Sequence, residues 1–175
     1  MHRALSAYSA ILSRLSTLAL WIAGVGLVAM TIAIAWQVYG RYVLGSTPRY
    51  TEALAVMLMA WFIFLGAAAG VRERYHLGFD VVLYFVPYRV KLVLRSISDV
   101  VVFCFAIGMT VYGLQLAVLG WPAAIPTLGI PGGLSFFPIM TGGTLICLFS
   151  IERLWQRFAG LDPDGDRAVA EAVEN

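Results

Sequence analysis

The sequence predicts an all-α integral membrane protein of four transmembrane helices with both termini cytoplasmic, and three observations carry that prediction. Charged residues make up 13% of the 175 positions and hydrophobic ones 61%, whereas soluble domains carry roughly 25% charged residues. The apolar residues come in charge-free blocks long enough to cross a bilayer rather than in amphipathic stripes. The longest of these blocks is interrupted by a Gly/Pro-rich stretch that divides it into two spans. A mean hydropathy of +0.84 agrees with this reading.

About 20 helical residues, rising about 1.5 Å each, cross a hydrocarbon core of about 30 Å. The first charge-free window runs from Leu15 to Gly40, between Arg14 and Arg41, and gives a span over residues 15–39. Its apolar run is too long for a cleaved signal peptide, and no small-residue cleavage site follows it, so it is read as a membrane span. The second window, Ala53 to Val71, lies between Glu52 and Arg72 and gives a span over 53–71. No charge occurs between Asp99 and Glu152, and "GWPAAIPTLGIPGGLS" (Gly120 to Ser135) splits that stretch into spans over 92–119 and 136–154. Residues 1–160 thus form one transmembrane domain, and the polar, acidic residues 161–175 a flexible cytoplasmic tail.

Lys and Arg accumulate on the cytoplasmic side of short loops. Ten of the twelve fall in the N-terminal segment, the second connection and the C-terminal segment, leaving Arg41 and Arg49 in the first connection and none in the third. Both termini and the stretch "VRERYHLGFD" (Val71 to Asp80) are therefore assigned to the cytoplasm. Between the second and third spans, "FDVVLYFVPYRVKLVLR" (Phe79 to Arg95) mixes an apolar face with basic residues and predicts an interfacial amphipathic helix.

Ionisable side chains at mid-membrane mark ion paths and proton relays, and the predicted spans have none there. Arg95 and Asp99, four residues apart at the start of the third span, read as a surface pair. His2 and His76 both lie outside the spans, so paired axial haem ligands are not available. No spacing of His, Cys and carboxylates suits zinc, no phosphate-cradling loop occurs, and neither a cofactor nor a nucleic-acid partner is expected. Cys104 and Cys147 fall within spans and read as buried thiols.

Two other function classes stay open from the residues alone. His76, Asp80, Asp99 and Glu152, with Arg72, Arg74 or Arg95 to hold a phosphate, would suit a membrane enzyme acting on a lipid head group. A self-assembling pore would need a polar stripe, for which the third span offers Thr110 and Gln115. His76, with an ordinary pKa near 6.5, suits a pH switch or a plain interfacial anchor. Packing signals centre on Gly66 and Gly70 in "FLGAAAGV", a GxxxG that admits either a helix of the same bundle or a second protein. Trp61 lies in the same span, deeper than the interfacial tryptophans.

Four stretches then carry a family resemblance over about Leu15 to Trp155: "QVYGRYVLG", "YTEAL", "WFIFLGAAAGVRERYHLGFD" and "TLGIPGGLSFFPI". In that order and spacing the chain resembles the small membrane subunit (DctQ type) of tripartite ATP-independent periplasmic (TRAP) transporters. It departs from the family pattern at the start of the second span. There Tyr50, Thr51, Glu52 and Ala53 replace a Trp followed after one residue by two acids, and Val56 stands where a basic residue is common. The resemblance implies a non-catalytic subunit of the bacterial inner membrane. Such a subunit scaffolds a large membrane subunit that imports a small solute, typically a carboxylate, with sodium, and a periplasmic binding protein docks transiently. Gly66, Gly70, Trp61, Arg72, His76 and Asp80 are then candidate packing or partner residues. Arg41, Tyr50 and Glu52 are candidate contacts on the periplasmic side.

Overall fold

The computed structural model describes residues 2–46, 48–73 and 88–158. Helix α1 spans His2–Tyr42, α2 Tyr50–Glu73, α3 Tyr88–Gly120 and α4 Phe137–Phe158. All four are long and apolar enough to cross a membrane. At about 1.5 Å per residue, the 41 residues of α1 extend roughly 60 Å, about twice the hydrocarbon core.

Local chemistry sets the ends of these helices. At the end of α1, Val43 N donates to Tyr39 O and Ser46 N to Gly40 O, while Gly45 takes a left-handed φ of 64°. A side chain at Gly45 would strain this turn. Thr51 Oγ1 donates back to Pro48 O at 2.8 Å as α2 begins, and Glu52 lies in its first turn, where a carboxylate meets the positive end of the helix dipole. Pro122 stops α3 shortly after Gly120. The Gly/Pro-rich break then forms a small antiparallel hairpin, β1 Ala124–Ile125 with β2 Ile130–Pro131, before a 3-10 turn at Gly132–Phe136 feeds α4. Leu128 and Gly129 both donate backbone N–H groups to Ile125 O, and Gly129 has φ 66°.

The helices pack as a row, α1 on α2, α2 on α4 and α4 on α3, with α1 touching α4 only slightly. One core cluster draws on every helix: Leu12, Ala68, Ala106, Ile146 and Phe149. A second joins Ala19 and Ala23 of α1 to Leu65 of α2, with Trp61 packed against it. Small residues recur in these clusters because lipid tails are as apolar as leucine, so helices associate through close van der Waals contact.

Helix α4 comes close to both of its neighbours at Gly142 and Gly143. A Cβ built on Gly142 would sit 2.8 Å from Phe64 Cβ of α2, and one on Gly143 2.8 Å from Met109 Cβ of α3. Among the described residues, a Cβ at Gly66 or Gly70 would meet nothing within 4 Å. Beside this GxxxG face, α2 turns its alanines Ala68 and Ala69 inward.

The expected interfacial segment lies largely outside the described residues. From Tyr88 onward the chain belongs to α3, which begins before the expected residue 92. His76, Asp80 and the tail also lie outside the described residues.

Candidate functional site: the charged end of the helix row

The start of α1, the end of α2, the start of α3 and the end of α4 meet at one end of the row, where buried charges collect. Arg72, in the last turn of α2, is the hub. Its Nη2 donates to Ser9 O of α1 at 3.3 Å, its Nη1 to Glu73 Oε1 at 3.5 Å, and its Nε lies 3.4 Å from Glu152 Oε2 of α4. The guanidinium also lies 5.9 Å from the ring centroid of Phe149, which is fully buried. Ser16 Oγ of α1 donates to Glu73 Oε1 at 3.4 Å, tying α1 to α2 a second time.

A second ion pair closes the other flank of α4, where Arg153 Nη1 donates to Asp99 Oδ1 of α3 at 3.3 Å. Glu152 and Asp99 are 4% and 6% exposed, so both carboxylates have left bulk solvent. A buried charge is tolerable when an opposite charge and hydrogen bonds replace its water, and breaking one partner then costs several kcal/mol, about 3–5. Gln156 Nε2 supplies Glu152 with a hydrogen bond at 3.4 Å. Near this end Tyr8 OH donates to Leu148 O at 3.4 Å, and its ring lies 6.3 Å from Trp155.

The expectation that Asp99 lies at the surface is thus corrected: it is buried and engages Arg153 across helices. Of the residues considered for head-group chemistry, the structure brings Arg72 to Glu152, but as mutually neutralising partners. Arg41, Tyr50 and Glu52 are all exposed at the hairpin end. Sequence reading missed Arg153 as a partner and the Gly142–Gly143 seam altogether. The adjacent glycines in "TGGT" were the available signal, since helix-weakening residues persist in a span where they admit a neighbour.

Elsewhere in the spans, threonine hydroxyls bond within their own helices. Thr31, Thr110, Thr141 and Thr144 each donate a hydroxyl hydrogen bond to the carbonyl four residues earlier on the same helix. Thr110, a candidate for a pore stripe, is among them. Beside the hairpin, an open cleft between Leu114, Val118, Trp121 and Phe137 is wholly apolar. Among the described residues no three His, Cys, Asp or Glu side chains converge as metal ligands would.

Comparison with known proteins agrees with the membrane-spanning character of the helices. The sequence profile of the family described as "Tripartite ATP-independent periplasmic transporters, DctQ component" matches residues 30–160. The chain belongs to the DctQ family. It is the small membrane subunit of a TRAP transporter, a transporter component and not an enzyme, in a multi-pass membrane protein class that functions together with a large subunit. A Haemophilus influenzae protein named as a TRAP transporter small permease is 29% identical over 132 residues, covering 73% of this chain and 80% of the relative. The Vibrio cholerae C4-dicarboxylate TRAP transporter small permease protein DctQ is 27% identical over 79 residues, 45% of this chain and 34% of that protein. The matched region of this DctQ-type subunit includes α2, α3, the hairpin and both ion pairs.

Proposed function

We propose that this DctQ-type subunit is a scaffold for the large transport subunit, which carries out sodium-coupled uptake of a small carboxylate delivered by a periplasmic binding protein. The observation that carries the reading is the placement of charge. In the described spans, the buried acids and their arginines pair with one another at one end of the row, and the threonine hydroxyls further along bond to their own helices. A chain built this way holds a partner in the bilayer but has no charged group along the span with which to couple an ion gradient to transport.

The subunit resides in the bacterial inner membrane with both termini cytoplasmic, as the distribution of Lys and Arg supports. Arg41, Tyr50, Glu52 and the hairpin then face the periplasm, within reach of a docking binding protein. The open GxxxG face at Gly66 and Gly70 meets the large subunit, a reading supported by the space left beside both glycines. Arg72 belongs to the internal clamp, and His76 and Asp80 follow it at the cytoplasmic interface. The carboxylate assignment is supported by the name of the Vibrio cholerae relative.

Affinity purification of the C-terminally tagged chain from gently solubilised membranes, with mass spectrometry of what accompanies it, tests the proposal. Stoichiometric recovery of a much larger multi-spanning subunit is expected. Recovery of the chain alone as a stable oligomer would overturn it.

A further inference from the structure

Glu152 and Arg153 are consecutive on α4, so their side chains leave the helix about 100° apart. The carboxylate of Glu152 turns to Arg72 on α2, and the guanidinium of Arg153 turns to Asp99 on α3. Ten residues earlier, about 15 Å along the helix, the same division appears in steric form: Gly142 receives Phe64 of α2 and Gly143 receives Met109 and Thr110 of α3. A doublet of neighbouring residues thus addresses two different helices at two levels of α4.

In a bilayer, apolar helix faces discriminate poorly between partners, because no hydrophobic force favours one leucine-rich surface over another. Buried charge discriminates strongly, since a wrong pairing leaves like charges together out of water. If α2 and α3 exchanged flanks, Arg72 would face Arg153 and Asp99 would face Glu152. We propose that the Glu152–Arg153 dipeptide is an ordering code that assigns α2 to one flank of α4 and α3 to the other. The inference concerns the assembly of this chain and stands apart from the transport role.

The test uses the full-length chain, reading the folded-to-unfolded ratio after mild heating in detergent. Four double variants each remove one positive and one negative charge, so their net charge is the same. R72Q/E152Q and D99N/R153Q remove partners that meet; R72Q/D99N and E152Q/R153Q break both interhelical pairs and leave one charged member of each in place. Each matched double is expected to be more stable than its single variants, and the crossed doubles to fall roughly tenfold or more in folded-to-unfolded ratio.

Order itself is read from disulfide formation between Leu65→Cys on α2 and Leu145→Cys on α4, in a chain with Cys104 and Cys147 replaced by alanine. The exchange E152R/R153E is expected to abolish the cross-link, and the fourfold reversal R72E/D99R/E152R/R153E to restore it. Matched doubles as unstable as crossed ones would overturn the code. So would an exchanged dipeptide that cross-links at the unexchanged yield, or a fourfold reversal that stays silent.

Discussion

Alanine substitutions at four glycines should separate two kinds of helix face by the sign of their effect. At Gly142 the new methyl would lie 2.8 Å from Phe64 Cβ and 3.0 Å from Phe64 O; at Gly143 it would lie 2.8 Å from Met109 Cβ and 2.9 Å from Thr110 N. Carbon atoms prefer about 3.5–4.0 Å, so α4 would have to retreat by roughly 0.7 Å or more from each neighbour. It cannot retreat from both, because relief at α2 presses it into α3. Overpacking of this kind costs about 1–3 kcal/mol, and with the obstacles in backbone and Cβ atoms we take about 2–3. The better helix propensity of alanine returns about 1 kcal/mol, for a net loss of about 1–2 per site. Gly66→Ala and Gly70→Ala meet no obstacle and keep only the favourable contribution. For a chain of 175 residues, 1 kcal/mol corresponds to about 2–4 °C in melting temperature. Melting of the purified subunit, followed by tryptophan fluorescence, should therefore fall by about 2–8 °C for G142A or G143A and stay level or rise for G66A or G70A. Equal destabilisation at all four glycines would refute the reasoning.

Gly66→Leu should leave the isolated subunit's melting intact yet reduce recovery of the large subunit in a pull-down, because no atom of the described residues comes within 4 Å of a Cβ at Gly66. Gly40→Ala should disorder the turn after α1, since its Cβ would lie 2.9 Å from Ser46 O and 3.1 Å from Pro48 Cδ; faster proteolysis near residues 43–48 would register it. Phe149→Ala removes a fully buried ring that also faces Arg72, and should destabilise the subunit by up to about 3–5 kcal/mol, measured by the same melt. In intact cells, Thr127→Cys in a chain lacking Cys104 and Cys147 should react with a membrane-impermeant maleimide; labelling only after lysis would invert the proposed orientation. His76→Ala should leave solute uptake largely intact, and a well-assembled but inactive variant would give that histidine a functional role.

Much of the architecture was legible before any coordinates, and the reasons are local. The charge-free windows beginning at Leu15 and Ala53 fall within α1 and α2, because a helix satisfies every backbone group internally while apolar side chains face lipid. Pro122 and the glycines near it marked the end of α3, although no periodicity announced the two-residue strands that pair across Ile125 and Ile130. The family resemblance read from "QVYGRYVLG" through "TLGIPGGLSFFPI" agrees with the DctQ match, since that match includes all the quoted stretches. The charged end was misread in one respect: Asp99, read as a surface residue, is buried and forms an ion pair with Arg153, 54 positions away.

The sequence by itself determined that this is a four-span helical membrane subunit, because hydropathy, charge placement and helix-stopping residues act on the chain where they stand. Tertiary structure decided which faces meet. A GxxxG on α2 and a glycine pair on α4 look alike as text, yet only the pair receives neighbouring helices, and Arg72 gains its meaning from Ser9, Phe149 and Glu152 on two other helices. Contacts of that kind depend on the rotation and order of helices about one another, which the summed packing and ion pairing of the whole row fix and no single stretch encodes.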